Sequence, residues 1–255
     1  MIVSVAAYKR PEYLEEALTA LAIAAQEIDE VVWLYARIDP SPVEGEMFDM
    51  LNAWETARIF VNEEVKGCAG NTLLAVEGAF DLARRMDEDY VQHLEEDFVF
   101  APDALRLSAW IRETYRADKQ VLAGGVQTAH AATPDEYLSV HKSSHFHCQG
   151  WSTWVDRWEM TLKPRWQGTK DTHTIKLGDV SMGGWADNFN DRIFPSTGGV
   201  QVIPRLSRCK HIGRYGGLHT TEETFKKDYP TVYAADVDIP DGSYYALSGA
   251  EAQTY

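Results

Sequence analysis

The sequence predicts an α/β fold in which a mostly parallel sheet is flanked by helices. Apolar, β-branched runs alternate with amphipathic stretches through the first 126 residues, the pattern of strands joined by helical crossovers. The first of these runs begins almost at residue 1. Polar residues able to carry chemistry gather at the carboxyl ends of the predicted strands, where open sheets of this class bind ligands.

Residues 2–7 read as a buried strand, and Tyr8-Lys9-Arg10-Pro11 breaks it. Residues 12–26 follow as a helix with Leu14, Leu18, Leu21 and Ala25 on one face. A strand over 31–38 is closed by Asp39-Pro40-Ser41-Pro42; a helix over about 44–54 and a strand over 57–61 come next. Residues 62–70 are expected as a loop and 71–86 as a helix leading into a strand over 90–94. A helix over 102–116, with Pro102 in its first turn, and a strand over 121–126 complete the regular part. Beyond it regularity fades. Short strands are expected at 200–203 and 206–212, and the last 30 or so residues read as a loosely structured tail.

At 255 residues, with 45% hydrophobic and 25% charged residues, the chain is expected to form a single domain with a substantial core. Its halves divide near residue 118. Residues 1–118 hold ten Lys+Arg against 24 Asp+Glu, whereas 119–255 hold 14 against 15. The overall charge of −15 argues against a generic nucleic-acid binder, but 140–219 carry eleven basic and six acidic residues with six of the eight histidines. Cys68, Cys148 and Cys209 are too few and too scattered for a disulfide framework or a zinc cluster. A short apolar start before Lys9 and Arg10, and no run of membrane length, give the expectation of a cytoplasmic protein without membrane contact.

Glu95-Glu96-Asp97 is the most informative stretch. Three adjacent carboxylates repel one another, and a divalent cation (Mn2+ or Mg2+), which takes carboxylate and phosphate oxygens, gives them a reason to gather. The plain alternative is a solvated turn, with Asp103 helping the next helix start. Lys66-Gly67-Cys68-Ala69-Gly70-Asn71 places two glycines before a helix, a loop able to approach a phosphate, although a helix cap explains it nearly as well. His141, His145 and His147 lie in an irregular segment without matching acids and read as surface or core histidines. Five of the eight tryptophans fall between 151 and 185. Aromatics this dense fill a core or offer stacking platforms for sugar rings or bases.

With these features in place, the chain resembles nucleotide-sugar glycosyltransferases of the GT-A fold. Residues 3–21, with Arg10-Pro11-x-x-Leu14, are similar to the opening of family 2 enzymes. The fuller resemblance is to the alpha-mannosyl beta-1,2-N-acetylglucosaminyltransferases. Their Glu-Asp-Asp-x-x-x-Ala-Pro-Asp signature is similar to the stretch from Glu95 through Ala101-Pro102-Asp103. Gly150-Trp151, Trp158, Lys163-Pro164-Arg165-Trp166, Trp185-Ala186-Asp187, and the blocks 203–208 and 212–216 resemble their later segments. The chain departs at Glu96 and Ala186, where that family has aspartates.

The resemblance implies an inverting, metal-dependent transfer of a sugar from a UDP-sugar to a hydroxyl. Residues 1–118 would be the nucleotide-sugar half and 119–255 the acceptor half. Asp97 would hold Mn2+ or Mg2+, and whether His211 or His219 joins it stays open. Glu95 would meet the transferred sugar and Glu96 the ribose or the metal's waters. Arg10 and Asp39 would frame the nucleoside, Lys66 and Asn71 the donor loop, and Arg214 the diphosphate. Asp187 would be the base, with Trp151 and Trp185 on the acceptor. A saccharide or glycoprotein acceptor is implied; the oligomeric state is not. The cations among the aromatics (Lys163, Arg165, Lys170, Arg192, Arg205, Arg208 and Lys210) raise a second possibility, a hydroxymethylated pyrimidine in DNA. A sugar nucleotidyltransferase and an inactive sugar-binding module are the remaining alternatives.

Overall fold

A computed structural model describes residues 1–128, 131–166, 185–215, 222–223, 225, 233–237, 239 and 242–247, together with the backbone of 175–177 and 180–182. The expected alternation is present. Strands β1 (Ile2–Ala7), β2 (Trp33–Ile38), β3 (Ala57–Val61) and β4 (Tyr90–Glu95) are linked through helices α1 (Pro11–Ala25), α2 (Glu44–Asn52) and α3 (Gly67–Arg85). β5 (Phe98–Phe100), α4 (Ala104–Tyr115) and β6 (Val121–Gly125) follow. The second half adds β7 (Ser139–Ser143), β8 (Trp151–Trp154), β9 (Ile175–Leu177), β10 (Val180–Met182), β11 (Val200–Pro204), β12 (Cys209–His211) and β13 (Tyr245–Ala246).

Among the described residues one sheet runs through both halves in the order β13-β7-β11-β6-β8-β4-β1-β2-β3. β3, β2, β1 and β4 are mutually parallel, and β8 lies antiparallel between β4 and β6. β1 is buried at every position, as a central strand covered by helices on both faces must be. Its alternate side chains enter two cores. Val3 and Val5 join Leu14, Leu21 and Leu34 on one face, while Ile2 joins Tyr35, Phe80 and Trp151 on the other. Each such side chain contributes roughly 1.5–3 kcal/mol on burial. β5 pairs with β12 in a separate antiparallel ladder, bringing residues 209–211 alongside 98–100.

Four expectations are corrected. Residues 67–70 are the first turn of α3 rather than loop, so Asn71 lies inside the helix. α4 begins at Ala104, two residues after Pro102. The segment after 126 is not irregular throughout: β7 and β8 enter the main sheet. Part of the tail is packed as well, since β13 pairs with β7 and the buried Tyr244 hydroxyl donates to Asp103 Oδ2 at 2.8 Å. No helix among the described residues is long and apolar enough to cross a membrane.

Candidate active site

The site lies at the carboxyl ends of β1, β2, β3 and β4 and is built outward from their backbones. β1 leaves the sheet through Lys9, whose φ of 50° is rare for a residue other than glycine. This left-handed step brings Arg10 back over the end of β4, and Pro11 at the start of α1 fixes the exit. Arg10 then forks across two carboxylates separated from it by more than 85 residues. Its Nε is 2.8 Å from Glu96 Oε1, and its Nη1 is 2.9 Å from Asp97 Oδ2.

Glu96 and Asp97 are buried and share this one guanidinium. The Glu96 carboxyl is pushed up to about 8, first by burial and then by the charge of Asp97, against the pull of Arg10. Burial acts the same way on Asp97, but the hydrogen bond with His211 and the charge of Arg10 outweigh it and hold Asp97 below the usual carboxylate range. Asp97 is the member of the pair that keeps its charge. His211, delivered by β12, places Nε2 3.1 Å from Asp97 Oδ2. Gly213 packs so closely that a Cβ there would overlap Asp97 Oδ2, so only glycine lets this segment pass. The other oxygen, Oδ1, is buried with no hydrogen-bond partner among the described residues.

Asp39 ends β2 and is 1% exposed. Its carboxylate accepts from the backbone N–H of Lys66 at 3.0 Å and of Gly67 at 2.9 Å, and from Asn62 Nδ2 at 2.7 Å. Asn62 also donates to Asn71 Oδ1, and Asn71 Nδ2 donates to the carbonyls of Ala7 and Arg37. Asp39 and Asn71 therefore tie β1, β2 and the start of α3 into one frame, while Lys66 turns its Nζ to Glu64 at 2.8 Å. Asp39→Ala is expected to cost about 1–3 kcal/mol, the scale for stranding buried donors at a helix start. Urea unfolding would read this as a lower midpoint with unchanged slope.

The remaining candidate residues lie in the second half of the chain. Asp187 lies on the short helix Trp185–Asn188. Burial lowers the His145 pKa, and the charges of Asp187 and Asp191 oppose that shift. The Cys148 thiol is pushed up to about 12 by burial and then by Glu95, with Asp187 and Asp97 adding to the effect. Trp151 and Trp185 are 1% and 5% exposed. They pack with Phe146, Trp166 and Phe189, and the rings of Trp166 and Trp185 stack with centroids 5.0 Å apart. In this structure they are part of a buried aromatic core and offer no open ring face.

Arg214 is exposed over the Phe225 ring and lines a cleft of about 400 Å³ with Tyr13, Lys210 and Tyr215. This cleft flanks the outward face of β5 and β12, where Val99 pairs with Lys210. Most of the cations interleaved with aromatics have partners: Lys163 faces Glu77, Arg205 Glu136, Arg208 Asp103 and Lys210 Asp236. Arg165 bonds to the carbonyls of Met160 and Thr161. His219 and Lys170 lie outside the described residues.

No protein-family model matches the sequence, and no curated protein matches it. Among solved structures, residues 1–349 of TarS from S. aureus superpose with a TM-score of 0.53 at 11% identity. The match covers 82% of this chain and 60% of that one, so the chain spans about three fifths of that structure's length. The galactosyltransferase LgtC, in complex with donor and acceptor sugar analogs, matches at a TM-score of 0.46 and 13% identity, over 79% of this chain and 72% of that one. The sheet topology and the TarS superposition give the chain the GT-A fold.

Proposed function

We propose that the protein is a glycosyltransferase that moves a sugar from a nucleotide sugar, a UDP-sugar in our reading, to a hydroxyl of a saccharide acceptor. The observation that carries the proposal is the acid cluster at the end of β4, where Arg10 forks across Glu96 and Asp97 and His211 reaches Asp97. The sequence signature from Glu95 through Asp103 supports the same reading.

In this reading residues 1–118 hold the donor and 119–255 the acceptor. Asp187 takes the proton from the acceptor hydroxyl as that oxygen attacks the face of the anomeric carbon opposite the leaving group. The new glycosidic bond forms as the old bond to the diphosphate breaks, and configuration inverts. The nucleoside diphosphate leaves with the bonding electrons, and Arg214 meets its growing charge. Glu95 orients the transferred sugar. Arg10 and Glu96 face the ribose side, and Lys66 stands at the donor end of α3.

The residues also fit a hard cation, because Asp97 Oδ1 is buried without a hydrogen-bond partner among the described residues. Asp97 would hold Mn2+ or Mg2+, with His211 beside it. Such an ion would supply positive charge against the leaving diphosphate. A saccharide acceptor is favoured over DNA because Lys163, Arg205, Arg208 and Lys210 face carboxylates rather than standing ready for phosphates. Calorimetry with UDP and with GDP, each with and without Mn2+, tests the donor site. Saturable binding that needs the ion supports the proposal, and no binding of either nucleotide overturns it.

A further inference from the structure

His93 sits mid-sheet on β4 and is 1% exposed. Its Nδ1 is 2.7 Å from Ser4 Oγ, on the strand position directly opposite. Its Nε2 is buried without a hydrogen-bond partner among the described residues and lies 3.9 Å from Glu95 Oε1. Glu95, 22% exposed at the side chain, has no hydrogen-bond partner among those residues either. The rings of Trp151 and Trp185 lie 6.1 and 6.4 Å from the imidazole, packing against it on the side of the aromatic core. A histidine placed between apolar neighbours in a central strand, with one nitrogen aimed at the only uncommitted acid of the triplet, calls for a reason beyond packing.

The hydrogen-bonding partners select the tautomer. With the proton on Nδ1, the ring would donate to Ser4, the buried Ser4 hydroxyl would lack an acceptor, and a bare lone pair on Nε2 would face a carboxylate. With Ser4 donating to Nδ1, the proton sits on Nε2 and points at Glu95. This second arrangement satisfies Ser4 and turns a repulsive approach into an attractive one.

We propose that His93 is a positioning residue for Glu95. Ser4 fixes the imidazole with its proton on Nε2, and that N–H draws in one oxygen of the Glu95 carboxylate. The other oxygen is then turned toward a hydroxyl of the transferred sugar. The separation exceeds an N–H···O bond by about 1 Å, a gap the Glu95 side chain closes by rotating about its own torsions. The role of the sugar rests on the glycosyltransferase reading; the tautomer does not.

The experiment has two arms. Long-range proton–nitrogen NMR on the wild-type protein is expected to give His93 as the Nε2–H tautomer, and Ser4→Ala is expected to mix the tautomers. In the second arm, His93→Leu is expected to lower turnover of a nucleotide sugar by about 10–100-fold, the scale for residues that orient a contacting group. Affinity for the nucleotide alone stays within about twofold, by the same reasoning that His93 reaches only the sugar-facing acid. His93→Gln, whose amide nitrogen reaches the place of Nε2, restores most of the turnover. A purely structural role would depress nucleotide binding and turnover together and would not separate Gln from Leu. If His93→Leu fails to fold, Ser4→Ala carries this arm with an expected loss of about 3–10-fold, the effect of one hydrogen bond.

An Nδ1–H tautomer overturns the inference whether or not a donor is known. So does a His93→Leu protein as active as wild type, or a His93→Gln protein no better than His93→Leu. A wild-type protein with the Nε2–H tautomer that turns over no nucleotide sugar would overturn the glycosyltransferase reading, and with it the sugar-facing role of Glu95, while upholding the Ser4–His93 arrangement.

Discussion

Asp97→Asn is expected to abolish Mn2+-dependent binding of nucleotide sugar while leaving the protein folded. Asparagine keeps the volume under Gly213 and leaves an oxygen for Arg10, so the packing that surrounds Asp97 is preserved. It removes the charge that His211 and Arg10 stabilise, and with it the attraction of Oδ1 for a hard cation. Affinity should fall by more than about 100-fold, the scale of losing one charged contact of ~3 kcal/mol. The substitution is preferable to alanine because Asp97 is buried, not an exposed strand-end acid, and truncation would leave Arg10 with Glu96 alone. Calorimetry against wild type reads the affinity, and a thermal melt within a few degrees of wild type shows that the fold is kept. Unchanged affinity would remove the metal assignment.

Asp187→Asn separates binding from chemistry. Asparagine keeps size and hydrogen-bonding reach but takes no proton at neutral pH. Transfer to acceptor should fall by roughly 10²–10⁴, the range for losing a general base, with donor affinity close to wild type. The readout pairs single-turnover transfer with nucleotide affinity. An equal fall in both would place Asp187 in the nucleotide site or in the fold, and transfer at the wild-type rate would exclude it as the base.

The first half of the fold was legible because its signals are local. β1 has the boundaries that its apolar run predicts, since a strand buried on both faces must be apolar along its length; β3 also has its predicted bounds, as a half-exposed edge strand. β7 and β8 were missed for the converse reason. They are short, and Trp151-Ser-Thr-Trp154 reads as neither alternation nor an apolar run, because its hydroxyls are satisfied by the fold itself. Thr153 Oγ1 donates to the Leu122 carbonyl, and Ser152 bonds to Tyr90. The start of α3 was placed late because Gly67 and Gly70 argue for loop. What holds that turn is Asp39, 28 residues upstream, accepting the N–H groups of Lys66 and Gly67.

The same limit governs the site. The acid triplet was visible as three adjacent carboxylates at a strand end. The fork of Arg10 across Glu96 and Asp97 was not, because these partners lie 86 and 87 residues further along the chain. His93 stood inside the stretch that drew attention first and was read as part of a buried strand. Its signal was available: an ionisable residue mid-strand, two positions before an acid and therefore on the same face. Trp151 and Trp185 pack in a buried aromatic core, one of the two roles their aromatic density allows.

The central claim is that this chain cleaves nucleotide sugars at the end of β4, and one measurement tests it most directly. Wild-type protein and Asp97→Asn are incubated side by side with a panel of UDP- and GDP-sugars and Mn2+, and released nucleoside diphosphate is quantified. The account predicts diphosphate release by wild type from at least one donor and none above background from Asp97→Asn. No release from any donor, or equal release by both proteins, would contradict it.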